Sequence, residues 1–255
     1  MTSAFAFLGD FGGAIEFIFK ERESVSGGVQ IGGLPELAGF GITHLWISVA
    51  AVALALVIAV PIGLILGHKG KGEFIAISTS NIGRAVPSLA LLAFFIAFIG
   101  VGPGNVILVL VLLAIPPILT NTYVGVRQVD RDTIDAARGM GMSSFEIISK
   151  VRFPLALPLI FGGIRTASVN VVATATIAPL ANVQTLGEPI VTPQTYGLQG
   201  QIGAAIIVAI VTIMVDLGFA RLQQILTPKG LKVAQPAAAK SRRRVLSFRK
   251  GTPAT

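Results

Sequence analysis

The sequence predicts an all-α integral membrane protein of about five transmembrane helices, with a structured cytoplasmic loop between the third and the fourth. Four observations carry this reading. Of 255 residues, 53% are hydrophobic and only 13% charged, where a soluble domain carries about 25% charged residues. The mean hydropathy is +0.80, more apolar chain than one soluble core of this size can bury. Aromatic residues make up only 7%, so the apolar mass is Ala, Val, Ile and Leu. The 29 glycines suit helices that approach closely in a membrane.

Taken in order, residues 1–42 read as an extracytoplasmic or interfacial segment. Phe5, Phe7, Phe11, Ile15, Phe17, Ile18 and Phe19 form an apolar cluster broken by Asp10, Gly12 and Gly13. That pattern predicts an interfacial helix, with a sixth span as the alternative. Ser24 to Gly41 reads as an external loop. The membrane domain covers 43–227. Its spans are expected at about Leu45 to Gly67, Phe74 to Gly100, Asn105 to Val126, Leu155 to Ala181 and Ile202 to Leu226. Pro61 lies in the first, Arg84 and Pro87 in the second, and Pro116-Pro117 in the third. The tail, 228–255, is rich in Ala, Pro and Arg and reads as disordered and cytoplasmic.

Basic residues alternate between the connecting segments. Lys69 and Lys71 follow the first span. Arg127, Arg131, Arg138, Lys150 and Arg152 lie between the third and fourth, and Arg221 with the basic tail comes after most of the fifth. The links at 101–104 and 182–201 carry no basic residue. The positive-inside rule places the N-terminus outside and the C-terminus in the cytoplasm, as a multi-pass protein of a prokaryotic cell membrane. This distribution accounts for a net charge of +8 through anionic membrane lipid rather than nucleic acid. With no cysteine and only His44 and His68, thiol chemistry and a His-rich metal site are excluded. No cleaved signal peptide is expected.

The segment at about 127–154 carries the mechanism. Asp130 or Asp132 can cap a short helix running through Ala136-Ala137, ended by Gly139 and Gly141. Ser143 or Ser144 can cap a second, Phe145 to Val151, stopping before Pro154. The two make a compact knob at a Gly-Met-Gly corner, where Ala136 and Ala137 would let another surface approach. Such a knob can transmit a push from a soluble partner into the third and fourth spans.

This stretch resembles the EAA loop of binding-protein-dependent ABC importers. That pattern is Glu-Ala-Ala, three residues, Gly, nine residues, then Ile-x-Leu-Pro. Here Asp135-Ala136-Ala137 is followed at the same spacing by Gly141 and then by Val151-Arg152-Phe153-Pro154. The departures are Asp for Glu, Val for Ile and Phe for Leu. His44-Leu45, Val60-Pro61-Ile62-Gly63, Val86-Pro87-Ser88-Leu89-Ala90-Leu91-Leu92, Asn121-Thr122-Tyr123, Ala136-Ala137-Arg138-Gly139-Met140-Gly141-Met142 and Gly163-Ile164-Arg165-Thr166-Ala167 look like the osmoprotectant branch, which imports glycine betaine, choline, carnitine or proline-related solutes. Arg84 departs from the uncharged residue expected before the Pro-Ser-Leu-Ala motif.

The resemblance implies a permease subunit, with no catalytic residue, no metal and no cofactor of its own. ATP would be bound by a separate ABC ATPase, in keeping with the absence of a Gly-x4-Gly-Lys-Ser/Thr loop here. The other implied partners are a second permease subunit, identical or homologous, and an extracytoplasmic solute-binding protein. Asp135, Ala136, Ala137, Arg138, Gly139, Gly141, Val151 and Pro154 would form the ATPase-coupling loop. Arg84, Pro87, Ser88, Asn170 and Thr174 are candidates for the pathway or gate. Against this, Arg84 can snorkel to headgroups, and the prolines can be ordinary kinks. Arg165 is expected to anchor at the cytoplasmic interface, Asp216 to pair with Arg221, and His44 to lie at the outer interface. With one Trp and two Tyr, no tight aromatic cage for a quaternary ammonium is expected. The competing readings are an ABC permease for another small solute such as methionine, and a transporter driven by an ion gradient.

Overall fold

The computed structural model describes residues 2–70, 72–74, 78, 81, 83 and 86–226, with side chains from residue 9 onward. The chain opens with helix α1 (Thr2–Phe19) and an antiparallel hairpin, β1 (Glu21–Glu23) and β2 (Gln30–Gly32). Helix α2 (Gly33–Lys69) follows directly. Next come α3 (Ser88–Ile99), α4 (Pro103–Arg127) and α5 (Arg131–Gly139). A long helix, α6 (Ser144–Ala181), is succeeded by a single turn, α7 (Glu188–Val191), and by α8 (Pro193–Leu226), which is broken near its start at Gly197 (φ 64°, ψ 179°). Among the described residues, α2, α4, α6 and α8 are long and apolar enough to cross a membrane.

Helix α4 is the centre of the bundle. Val106, Val109, Leu110, Ala114 and Ile118 are almost wholly buried on it. They pack against Ile47, Ala51, Ala55 and Ala59 of α2 and against Ala167, Val171 and Ala175 of α6. The small side chains of α2 recur at helical spacing, so its backbone can lie close to α4. Gly63 and Gly67 continue the seam: a Cβ on Gly63 would stand 2.7 Å from Thr122 Cβ, and one on Gly67 would stand 2.7 Å from Val126 Cβ. The opposite side of α2 exposes Val49, Leu54 and Val57. A helix apolar all round suits lipid on one side and protein on the other.

Several expectations about the connections change. The external loop expected over Ser24 to Gly41 is instead the end of the hairpin and the first turns of α2. Glu36 accepts from the Gly32 amide at 2.5 Å and from Tyr196 Oη at 2.8 Å, which ties the helix start to α8. The second expected span is described mainly over α3. Pro87, extended at φ −66° and ψ 119°, precedes that helix, so the chain is broken there as proline geometry favours. Arg84 lies outside the described residues, as does the tail. The expected loop from Asn182 to Gln201 is largely an interior link. Thr185 and Leu186 are buried, and a Cβ on Gly187 would meet the Thr176 carbonyl oxygen at 1.8 Å.

Candidate functional site

The segment 127–154 folds as a small unit with its own core. Asp130 caps α5, its Oδ1 accepting from the Thr133 amide at 3.1 Å, a contact worth about 1 kcal/mol. The helix ends at Gly139, and Gly141 turns the chain at φ +82°, a conformation that side chains resist. Ser143 and Glu146 then form a reciprocal capping box. Ile134, Ala137 and Ile147 are buried together, with Val129, Met142 and Val151 packed around them. The two alanines therefore divide: Ala137 belongs to the knob's core, whereas Ala136, Asp135 and Arg138 face outward. Asp135 accepts from Arg138 at 3.3 Å. Met140 and Phe145, 72% and 77% exposed, give the tip an apolar surface.

The second short helix does not stop before Pro154. A wide π turn, Ile147–Arg152, runs into the rest of α6, with the Phe153 amide bonding back to the Ile148 carbonyl. The wider turn accommodates Pro154, which has no amide hydrogen and whose ring clashes in a regular helix. The knob is thereby fused to a membrane helix. At the same place Arg152 Nη1 donates to the Gly67 carbonyl at 3.2 Å, joining the base of α6 to the end of α2.

The second feature lies between α6 and α8. Arg165 Nε and Nη2 donate to the two carboxylate oxygens of Asp216 at 2.5 and 2.6 Å. Arg165, expected as an interfacial anchor, stands roughly 20 Å along the helix from Arg152 and is held by an ion pair to α8. Asp216 pairs with it and not with Arg221. The pair borders an open cleft of about 490 Å³, also lined by Gly162, Thr166, Asn170 and Gln223. On α6 these positions follow i, i+3, i+4 and i+8, a single helix face. In the isolated chain this face is uncovered, with 38% and 33% of the paired side chains exposed. A charged pair on a candidate span is costly against hydrocarbon, which favours water or another protein over lipid on this face. Asn170 lies on it, Thr174 is half-buried further along, and Pro87 and Ser88 stand at the start of α3.

His44, expected at the outer interface, is fully buried between helices, and its Nε2 bonds the Val172 carbonyl at 2.9 Å. Sequence reasoning also missed the cluster around Tyr196. This tyrosine is buried and packs edge-on to Phe17, with ring centroids 6.1 Å apart. Arg22 donates to the Tyr196 carbonyl at 2.7 Å and lies 5.0 Å from the Phe17 ring centroid. The only local signal was the apolar run in α1. Glu188, next to this cluster, has its pKa raised by burial and then by the charge of Glu36. Among the described residues no group of three His, Cys, Asp or Glu side chains is placed to hold a metal.

Four long apolar helices, a capped knob fused to one of them and a charged cleft between α6 and α8 make this a multi-pass membrane subunit, and comparison with known proteins gives its class as a transport permease. Residues 59–231 match the family of binding-protein-dependent transport system inner membrane components, and the chain belongs to it. It is 39% identical over 190 residues to the glycine betaine/carnitine/choline transport system permease protein OpuCB of Bacillus subtilis, an alignment that covers 74% of this chain and 88% of that protein. It is 39% identical over 193 residues to the carnitine transport permease protein OpuCB of Listeria monocytogenes, covering 75% and 88%. To the osmoprotectant import permease protein OsmW of Salmonella typhimurium it is 32% identical over 207 residues, covering 77% and 94%. A chain of the MetNI methionine ABC transporter in an inward-facing form has the same fold, with TM-score 0.67 and 19% identity over 76% of this chain and 98% of that one. The chain is a transport subunit and not an enzyme.

Proposed function

We propose that this chain is the membrane permease subunit of an ATP-driven importer of osmoprotectants such as glycine betaine, choline, carnitine or proline. The observation that carries the solute class is the identity, over most of both chains, with permeases named for these solutes. Two permease subunits, identical or homologous, form the pathway in the cell membrane of a prokaryote. Each has about five spans, the N-terminus outside and the basic tail in the cytoplasm. A binding protein delivers the solute from outside. A separate ATPase, which alone binds ATP, docks on the 127–154 knob.

In this reading Asp135, Ala136, Arg138, Gly139 and Gly141 present the docking surface. Ala137 and Val151 hold the knob's core, and Pro154 marks the join to the span. Closure of the ATPase halves on ATP moves the knob, and α6 carries the motion to the membrane as a rigid body. The solute passes along the face that bears Arg165, Asn170, Thr174 and Asp216. Pro87 and Ser88 belong to the gate, and Arg84 is assigned there on its sequence position. The exposed apolar tip and the charged cleft between α6 and α8 support this arrangement.

The test is uptake of labelled glycine betaine into proteoliposomes containing this chain, its ATPase and its binding protein. Uptake that needs ATP on the ATPase side and is lost in Gly141→Asp supports the proposal. ATP-driven uptake of a different solute discards the substrate class and keeps the mechanism. Uptake by this chain alone, driven by an ion gradient, overturns it.

A further inference from the structure

The base of the knob gathers more positive charge than any neighbouring group neutralises. Lys69 at the end of α2, Arg127 at the end of α4, Arg131 and Arg138 on α5, and Arg152 in the π turn line one pocket of about 370 Å³. Its single carboxylate, Asp135, already pairs with Arg138 at 3.3 Å. Among the described residues Lys69, Arg127, Arg131 and Arg152 have no carboxylate within ion-pair distance. Arg152 spends Nη1 on the Gly67 carbonyl, while its buried Nε has no partner. A cluster of like charges around a cavity is unfavourable unless an anion enters it.

We propose that this pocket is a binding site for a phosphate oxyanion, supplied by the headgroup of an anionic phospholipid. Guanidinium forks chelate tetrahedral oxyanions through paired N–H donors, and several converging forks favour phosphate over a single carboxylate. Location selects the lipid source. Helices α2 and α4 are both candidate spans, and both end at this pocket, which puts it at the depth of the headgroups. Basic pockets between membrane helices take anionic headgroups in this way. The site bridges the ends of α2 and α4, α5 and the base of α6. A bound headgroup therefore braces the knob against the two helices it must move, and the site does not depend on which solute is carried.

The test is thermal unfolding of the full chain in phosphatidylcholine micelles, with and without phosphatidylglycerol. The doubly substituted Arg127→Gln/Arg131→Gln chain is compared with wild type and with Lys20→Gln. Arg127 and Arg131 are exposed, so their neutralisation leaves the apolar core intact. Phosphatidylglycerol is expected to raise the wild-type and Lys20→Gln midpoints by roughly 5 °C, with at least half of that gain absent from the double variant. The basic tail is common to all three chains, so its lipid binding cancels in the comparison. An equal gain in all three overturns the site. A gain reproduced by millimolar inorganic phosphate and lost in the double variant keeps the phosphate site and overturns the lipid as its source. No lipid effect on any chain, with ATPase binding lost only in the double variant, overturns the proposal and makes the pocket a socket for an acidic protein side chain.

Discussion

Arg165 and Asp216 lie on different helices, yet they meet with both carboxylate oxygens engaged. Removing one partner leaves the other charged and unpaired within a membrane span, whereas exchanging the two restores the pairing. Asp216→Asn is therefore expected to lower ATP-driven uptake by about tenfold or more. The exchanged Arg165→Asp/Asp216→Arg chain should recover much of that loss, with both variants inserted in the membrane to wild-type levels. Equal loss in the single and exchanged variants would show that the orientation of the pair, and not its neutrality, is what matters. The sequence could not announce this pairing. Asp216 and Arg221 are near in the chain, but five residues turn a helix so that the two point about 140° apart. The true partner is distant in sequence and comes close only through the packing of α6 on α8. His44 is the same kind of case: nothing local foretells that α6 brings the Val172 carbonyl to its ring.

Secondary elements were legible where their signals are local. Of the caps that neighbouring residues offer, Asp130 rather than Asp132 and Ser143 rather than Ser144 form. Ser143 adds a reciprocal bond to Glu146 that was not foreseen, and Gly141 turns the corner as expected. The π turn is not legible in this way, because Pro154 reads as a stop until the wider turn absorbs it. Likewise α2 begins at Gly33, well before the Leu45 at which hydropathy alone starts the span, and its first turn meets Tyr196 across the fold through Glu36. Two predictions belong here. Gly63→Leu puts side-chain atoms where Thr122 already stands. It should separate α2 from α4 and lower the unfolding midpoint by roughly 5 °C or more, as read by a thermal scan in detergent. Ala at the same site should be milder. The second concerns Glu188, whose pKa is raised from an ordinary value of 4.5 by burial and by Glu36. The folded chain then holds this proton more tightly than the unfolded one. Stability should fall as pH rises from that ordinary value through the raised one. Glu188→Gln should remove this part of the slope, which the midpoint measured across a pH series will show.

At the scale of the whole molecule, two kinds of exposed surface must be told apart. Val49, Leu54 and Val57 on α2 are uncovered and apolar, as lipid-facing side chains are. Arg165, Thr166, Asn170 and Asp216 border an open cleft and are polar or charged, which hydrocarbon does not tolerate. Hydropathy over a span averages these sides together, so the sequence shows that α6 and α8 are spans without showing which face of each is wet. The chain has no cysteine, so one introduced thiol reports on one position. In the assembled transporter, Asn170→Cys is expected to react with a membrane-impermeant thiol reagent, because water reaches the cleft. Val57→Cys, 73% exposed in the isolated chain, should stay unreactive because lipid covers it. If the cleft is the solute path, glycine betaine with the loaded binding protein should slow modification of Asn170→Cys, and ATP should change its rate as the path turns from one side to the other. If the face is instead sealed by a second permease subunit, the same thiol should be protected in the complex whatever ligand is present. In a complex of two identical chains it should also form a disulfide between copies on oxidation. Reaction of Val57→Cys at the rate of Asn170→Cys would mean that polarity does not divide the surface of this bundle, and the pathway assigned to α6 and α8 would fall with it.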